Sequence, residues 1–393
     1  MPLGSVTKCA KEATGYFLSQ SIVAPGPIPR FESSAVDGYG VRTQDIAGAS
    51  RRSPVQLRVV GEVRAGGRSV EKLAHGCAVK IFTGGIIPDG VEAVLMREDV
   101  VEGDSIAVFR PAQPAENIRR AGEEFKIGDT VLAAGSRVTP ATHGMLALLG
   151  VLDIEVYRKP SVALVITGNE FASTDHPLGP GQIYDCNTPS LLAALKSSGI
   201  DQVISFRIAD EPEPLRRCLV DATKSHDVII TVGGVSMGDY DYVRPVLTEL
   251  GIRQEFWQVA MKPGKPNYFG TFVAEDRRRR LVFGLPGNPV SALVSFLVLV
   301  KPALQKMMGE AHVDAEVLAA MLTSAVRSEK GRVEFVRGRL HLGTKGFEVT
   351  PVARQGSHML GGLSEANCFI HCPEDRDYLE AGEMVGVQRI DWN

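Results

Sequence analysis

The hydrophobic rhythm of the chain changes three times. Between residues 54 and 110 the apolar runs are short (VQLRVVGEV, CAVKIFT, EAVLMREDV, SIAVF) and are separated by Gly and Asp turns. Such spacing predicts a small β domain. From Pro160 onward the runs are of buried-strand length and alternate with helical stretches. SVALVIT, VISFRIAD, the run from Asp227 to Val232, FWQVAM and LVFGL read as strands. PSLLAALKSSG, Pro212 to Lys224, Tyr242 to Leu250 and VSALVSFLVLVKPAL read as helices. Strand–helix alternation of this kind predicts an α/β region with a largely parallel sheet. Beyond residue 315 the pattern returns to short alternating strands (EVLAAMLTSAV, RVEFVRGRL, FEVTPVA, NCFIHC, MVGVQRI), a second small β domain. Residues 6–19 suit a first helix and Thr139 to Leu149 a short one, with an extended proline segment, Ala24 to Pro29, between them.

Polar and glycine residues collect where the predicted strands of the α/β region end. The stretch DVIITVGGVSMGDYD, Asp227 to Asp241, runs from an apolar strand into Gly233 and Gly234, then Ser236, Gly238, Asp239 and Asp241, and then a helix start. A glycine loop between strand and helix lets backbone N–H groups approach an anion at the carboxyl edge of a sheet. Asp239 and Asp241 would repel a bare phosphate, which points to phosphate accompanied by a divalent cation. Glu170, Asp185 and Asp210 fall at other strand ends. Lys262 and Lys265 flank a Pro-Gly turn and can both reach one site, and Pro286-Gly287-Asn288-Pro289 follows the next strand. Carboxylates suited to Mg²⁺ beside lysines that neutralise oxyanions are what reaction at a phosphoanhydride requires. Taken singly, each acid also fits a helix cap or a surface ion pair. No Walker lysine, GxSxG, HExxH or GxGxxG pattern occurs.

With 393 residues the chain has room for two to four domains, and its net charge of −3 argues against a nucleic-acid partner. The basic run Arg277 to Arg280 reads most simply as a solvated turn. Six cysteines without CxxC spacing fit reduced thiols in the cytoplasm; Cys368, His371 and Cys372 fit a plain strand better than a metal site. No secretory segment or membrane-length apolar run is expected.

Seven motifs, in order along the whole chain, resemble the molybdopterin molybdenumtransferase family, the molybdenum insertases that include the gephyrin E domain. They are Ser34-Ala-Val-Asp-Gly-Tyr39, Thr83-Gly-Gly with Pro88-Asp-Gly90, Thr167-Gly-Asn-Glu170, Gly181 to Asn187, Gly233 to Gly238 with Asp241, Lys262-Pro-Gly-Lys-Pro266, and Leu285 to Pro289. The resemblance implies α/β plus β architecture in several domains. Residues 1–37 and 125–158 would form an N-terminal linker and dimerisation domain carrying an inserted β domain at 38–124. Residues 159–310 would form a three-layer α/β molybdopterin-binding domain, and 311–393 a β-barrel-like C-terminal domain.

It further implies a homodimer, with a cleft completed across the dimer, that hydrolyses adenylylated molybdopterin with Mg²⁺ and transfers molybdate to the dithiolene, releasing AMP. By motif match, Asp37, Thr83, Glu170, Asp210 and Asp241 would be catalytic, with Asp241 and Glu170 holding the metal. Asn187, Gly233, Gly234, Ser236, Gly238, Lys262, Lys265, Pro286, Gly287, Asn288, Pro289, Arg337 and Ser357 would bind substrate, with Lys262, Lys265, Arg337 and Ser357 matching molybdate positions. Partners would be the enzyme that donates molybdopterin-adenylate and apo-molybdoenzymes or their chaperones, in the cytoplasm, with neither nucleic acid nor membrane. Cys186 stands where Ser or Thr is usual, Glu124 where Asp is usual, and Gln258 where a basic residue is common. Two other readings belong to different classes: a molybdopterin adenylyltransferase, which the extra domains oppose, and a gephyrin-type scaffold, which would leave the carboxylate and lysine set without a purpose.

Overall fold

The computed structural model describes residues 2–67, 72–172, 175, 177–235, 241–390 and 392. Ser236, Gly238 and Asp239 of the glycine loop lie outside the described residues. The chain divides into two compact units, one of residues 1–19, 135–143 and 152–393 and the other of residues 20–134 and 144–151.

The expected first helix is not formed. Strand β1 (Ser5–Cys9) and a single 3₁₀ turn, Ala10–Glu12, occupy that stretch. In the second unit, β2 (Gly38–Val41), β3 (Val55–Val63), β4 (Cys77–Ile81), β5 (Ala93–Met96), β6 (Val100–Val101) and β7 (Ile106–Val108) make one sheet in the order β5-β2-β4-β3-β7-β6. Its core is Val41, Leu57, Ala78, Leu95, Ile106 and Val108, the inward positions of those strands. Helix α1 spans Pro140–Leu149. Strand β8 (Asp153–Tyr157) pairs antiparallel with β1, Val6 facing Val156. That long-range ladder satisfies the backbone of residues 5–9 better than an isolated helix could, and local propensity gives way to it.

The α/β region is built on β9 (Val162–Thr167), with short strands β10 (Phe171–Ala172) and β11 (Ile183–Tyr184) paired beside it. Then come α2 (Asn187–Ser197), β12 (Val203–Ile208), α3 (Pro212–Ser225), β13 (Val228–Val232), α4 (Val243–Glu249) and β14 (Arg253–Trp257). A two-residue strand β15 (Met261–Lys262), β16 (Tyr268–Val273) and β17 (Arg279–Leu285) follow. The sheet order is β12-β9-β13-β17-β16-β14; the first four strands are parallel, and β16 and β14 are antiparallel additions. Alternate residues of β9 serve the two faces. Val162, Leu164 and Ile166 pack with Leu191 of α2 and Leu293, while Ala163 and Val165 pack with Leu215 and Leu219 of α3 and Leu247 of α4. The period-2 alternation of a strand buried on both sides thus produces three layers.

FWQVAM is not one strand. Gln258 takes a φ of 70°, β14 ends before it, and Met261–Lys262 leave the α/β sheet altogether. Arg280 is not in a solvated turn either: it is buried on β17 and paired with Asp227 and Asp276. Helix α5 (Pro289–Ser295), a π-helical segment (Phe296–Val300) and α6 (Lys301–Met307) complete the layer. Contrary to the expectation from sequence, Pro289–Met307 is long and apolar enough to cross a membrane, but 61 % of it is buried, packed against the sheet.

In the C-terminal region β18 (Val317–Leu322), β19 (Val333–Gly343), β20 (Gly346–Pro351), β21 (Cys368–Cys372) and β22 (Met384–Arg389) close on themselves in the order β19-β20-β18-β22-β21, with β21 pairing back to β19. Helix α7 (Leu360–Glu365) lies between β20 and β21 in sequence. The barrel is filled by Ala320, Leu322, Val336, Val349, Ile370 and Val387, with Cys368 and Cys372 among them. Burial pushes the Cys368 thiol up to about 12 and that of Cys372 to about 11, as befits core positions rather than metal ligands. Strand β15 adds to this sheet, parallel to β19, with Lys262 level with Glu334.

Candidate active site

Three parallel strands end at one cavity of about 740 Å³. Thr167 closes β9, Asp210 follows β12, and Val232 leads β13 into Gly233 and Gly234. These glycines are required where they stand: φ is 90° and 62°, and a Cβ on Gly233 would lie 2.9 Å from Thr167 Oγ1. Of the five acids expected at strand ends, Glu170, Asp210 and Asp241 line this cavity, Asp185 does not, and Asp239 lies outside the described residues. Phe171, Ile183 and Tyr184 from the β10–β11 pair form an apolar wall, and Cys186, Asn187, Gly287, Asn288, Pro289 and His358 complete it.

Asp185 has a different task. Its carboxylate accepts the backbone N–H groups of Asn187 and Thr188 at 2.9 and 3.0 Å and so caps α2. Asn187, predicted to bind substrate, is 5 % exposed and donates Nδ2–H to the Gly287 carbonyl at 2.8 Å. It ties one strand-end loop to the next from within the cavity wall.

A second cavity, of about 330 Å³, is lined by Lys262, Lys265, Pro286, Asn288, Arg332, Glu334, Arg337, Gln355 and Ser357 among others. All four residues of the predicted oxyanion set are therefore together. Arg337 is not the surface residue that its place on a β-strand would suggest; it is fully buried. Its Nε and Nη2 donate to the Arg354 carbonyl at 3.2 and 3.0 Å, while Nη1 is buried with no hydrogen-bond partner. Burial lowers the guanidinium pKa from its ordinary value, and Glu334 opposes that. An unmatched buried donor is costly. Asn288 lines both cavities and donates to Ser357 Oγ at 3.1 Å, while Ser357 and His358 face the second and the first cavity respectively. Gln258 is in neither lining.

In the second unit, Asp37 Oδ1 accepts both the backbone N–H and the hydroxyl of Thr83 at 2.8 Å. The Thr83 N–H, then its hydroxyl, hold the Asp37 carboxyl below its ordinary range. The two residues predicted from separate motifs thus form one hydrogen-bonded pair.

Sequence reasoning missed Glu334, Arg332 and His358 as cavity residues. His358 directly follows Ser357, and adjacency to a matched residue was the available signal. Glu334 carried none, because its place depends on a β15–β19 register that no local pattern encodes. Among the described residues no group of three or more His, Cys, Asp or Glu is close enough to hold a metal ion unaided. Glu170 and Asp241 nonetheless offer hard oxygen donors on one cavity wall, which suits Mg²⁺, an ion that takes few protein ligands and completes its shell with phosphate and water.

The class that this fold and site define is also found by comparison. Three family models match in order: the MoeA N-terminal region (domain I and II) over residues 3–150, a probable molybdopterin binding domain over 163–306, and the MoeA C-terminal region (domain IV) over 319–390. Molybdopterin molybdenumtransferase of Haemophilus influenzae is 35 % identical over 96 % of this chain and 92 % of its own length. Molybdopterin molybdenumtransferase 2 of Mycobacterium tuberculosis is 36 % identical over 97 % and 94 %. The crystal structure of the molybdopterin biosynthesis MoeA protein of Pyrococcus horikoshii superposes with a TM-score of 0.83 at 31 % identity, covering 98 % of this chain and 94 % of that one. The chain belongs to the molybdopterin molybdenumtransferase family, transferases of molybdenum cofactor biosynthesis.

Proposed function

We propose that the protein is a molybdenum insertase. It hydrolyses adenylylated molybdopterin with Mg²⁺ and transfers molybdate to the dithiolene, releasing AMP and molybdenum cofactor. The observation that carries this reading is the shared wall of the two cavities. One side is lined by carboxylates and a glycine loop, the other by Lys262, Lys265 and Arg337, and Asn288 belongs to both. A dianion brought beside a phosphate costs about 4 kcal/mol for each pair of unit charges 4 Å apart at an effective dielectric of 20, so cations have to offset it. Arg337 supplies a fixed buried charge, its guanidinium held by the Arg354 carbonyl, and Lys262 and Lys265 supply point charges.

In this reading Glu170 and Asp241 hold Mg²⁺, which when bound neutralises charge on the phosphates. Asp210 shares their cavity. Gly233 and Gly234 let the backbone approach the anion, and Pro286 to Pro289 form the wall between the cavities. Asp37 and Thr83 act as a pair in turnover, and the working form is a cytoplasmic homodimer that receives its substrate from the adenylylating enzyme and passes cofactor to apo-molybdoenzymes or their chaperones.

The full chain, given molybdopterin-adenylate, Mg²⁺ and molybdate, is expected to release AMP and to yield cofactor that activates an apo-molybdoenzyme. Adenylate formation from ATP would instead identify an adenylyltransferase, and neither activity a scaffold. Arg337→Ala is expected to raise the molybdate concentration needed for insertion while adenylate binding stays near normal. A collapse of adenylate affinity with unchanged molybdate dependence would place the arginine in the pterin site.

A further inference from the structure

The oxyanion cavity contains one residue of the wrong sign. Glu334 lines it beside two lysines and two arginines, is 8 % exposed, and would repel any anion that entered. Buried carboxylates are uncommon without a partner, and this one has two. Lys262 Nζ lies 3.2 Å from Oε1 and 3.3 Å from Oε2, nearly symmetric between the oxygens, and Ser328 donates its hydroxyl to Oε2 at 3.0 Å. The contact is also set by the backbone, since Lys262 and Glu334 are register partners in the parallel β15–β19 ladder. The lysine itself is on the open side of the pair, its side chain 43 % exposed against 11 % for the glutamate.

From this geometry we infer that Glu334 is a positioning residue for Lys262. It holds the ammonium at the cavity wall that Arg337 and Ser357 share, where the lysine can meet a tetrahedral dianion; this deepens the oxyanion reading above and rests on it. Two effects of opposite sign are at stake. As a charge, Glu334 weakens anion binding. As an anchor, it prevents a long side chain with four rotatable bonds from leaving for solvent, and a lysine must lose that freedom to bind. The cavity's charge is consistent with the second role. Arg332 is paired with Glu329 and Lys262 with Glu334, which leaves Lys265 and Arg337 without an ion pair among the described residues. Those two cations remain to meet the charge of a dianion, so the lysine held by Glu334 serves as a placed donor rather than as surplus charge.

The test is molybdate binding to the full-length protein by calorimetry, without pterin. Glu334→Gln is expected to weaken binding roughly tenfold, the scale of one charge-assisted hydrogen bond. In a Lys262→Met background, where only the repulsion of the carboxylate is left, the same substitution is expected to cost no affinity and to leave binding equal or tighter. Ser328→Ala, which loosens the glutamate without removing it, is expected to weaken binding less than Glu334→Gln does, and it serves where Glu334→Gln does not fold. Tighter binding by Glu334→Gln with Lys262 present, or an equal loss with and without Lys262, overturns the positioning role and leaves the cavity's oxyanion reading standing. Failure of the unmodified protein to bind molybdate overturns both.

Discussion

Asp227 and the trio Glu170, Asp210 and Asp241 are carboxylates at opposite ends of the same parallel strands. Asp227 precedes β13, is 4 % exposed, and has its oxygens filled by the chain itself. Arg158 donates to it twice, at 2.6 and 2.9 Å; Ser161 donates its N–H and its hydroxyl, each at 2.9 Å; and Arg280 lies at 3.3 Å. Burial alone would raise its pKa, but the Arg158 and Ser161 hydrogen bonds outweigh burial and hold it at about 2. At the other end, Glu170 and Asp210 carry no ion pair among the described residues and open onto a cavity. The difference separates fastening from function. A carboxylate satisfied by its own fold secures the amino edge of the sheet, whereas Glu170 and Asp210 face the cavity in which the proposed function places the substrate.

The comparison can be broken in three ways. The largest effect is expected at Asp227. Asp227→Asn keeps the shape but leaves Arg158 beside a neutral group and Arg280 with Asp276 alone, and it should lower stability by about 3 kcal/mol in urea unfolding. Turnover per folded molecule should stay unchanged; a catalytic defect with normal stability would erase the distinction.

Asp241→Asn is the converse experiment. It should reduce AMP release by roughly a hundredfold, the scale of removing one charge-stabilising group, with the melting temperature within experimental error of the unmodified protein. Wild-type turnover would show that Asp241 is not needed at the cavity.

The smallest effect is in acid. The folded-state pKa of Asp227 is depressed from 3.8 to about 2, so its contribution is fully present above the unfolded value and is lost as pH falls from about 4 through about 2. That contribution is about 2 kcal/mol. Stability measured against pH should show the step in the unmodified protein and lack it in Asp227→Asn.

How much of this was legible in sequence follows from the range of the interactions. β9, β13 and the five barrel strands announce themselves, because burial on one or two faces imposes a short-range pattern of residues. The cavity trio was legible too, since strand ends in a parallel sheet share an edge by topology. β1 was not, because its stability comes from Val156 and its neighbours far along the chain. Nor was Arg280, whose burial depends on Asp227 being opposite. The split at Gln258 was hidden in the same way: an apolar run looks continuous until φ at one residue turns it aside.

The pairing of β15 with β19 has a consequence for modularity. Met261 and Lys262 belong by sequence to the α/β region, yet their ladder is with the barrel, reinforced by a bond from the Val333 N–H to the Ala260 carbonyl at 2.9 Å. The segment folds back on itself through the Val259 N–H and the Lys265 carbonyl, also at 2.9 Å, so it travels as one piece. Exchanging barrels between relatives at a cut near residue 310 would therefore separate a strand from the sheet it belongs to. A working chimera has to carry residues 259–267 across with the barrel, as a graft carries its own stem.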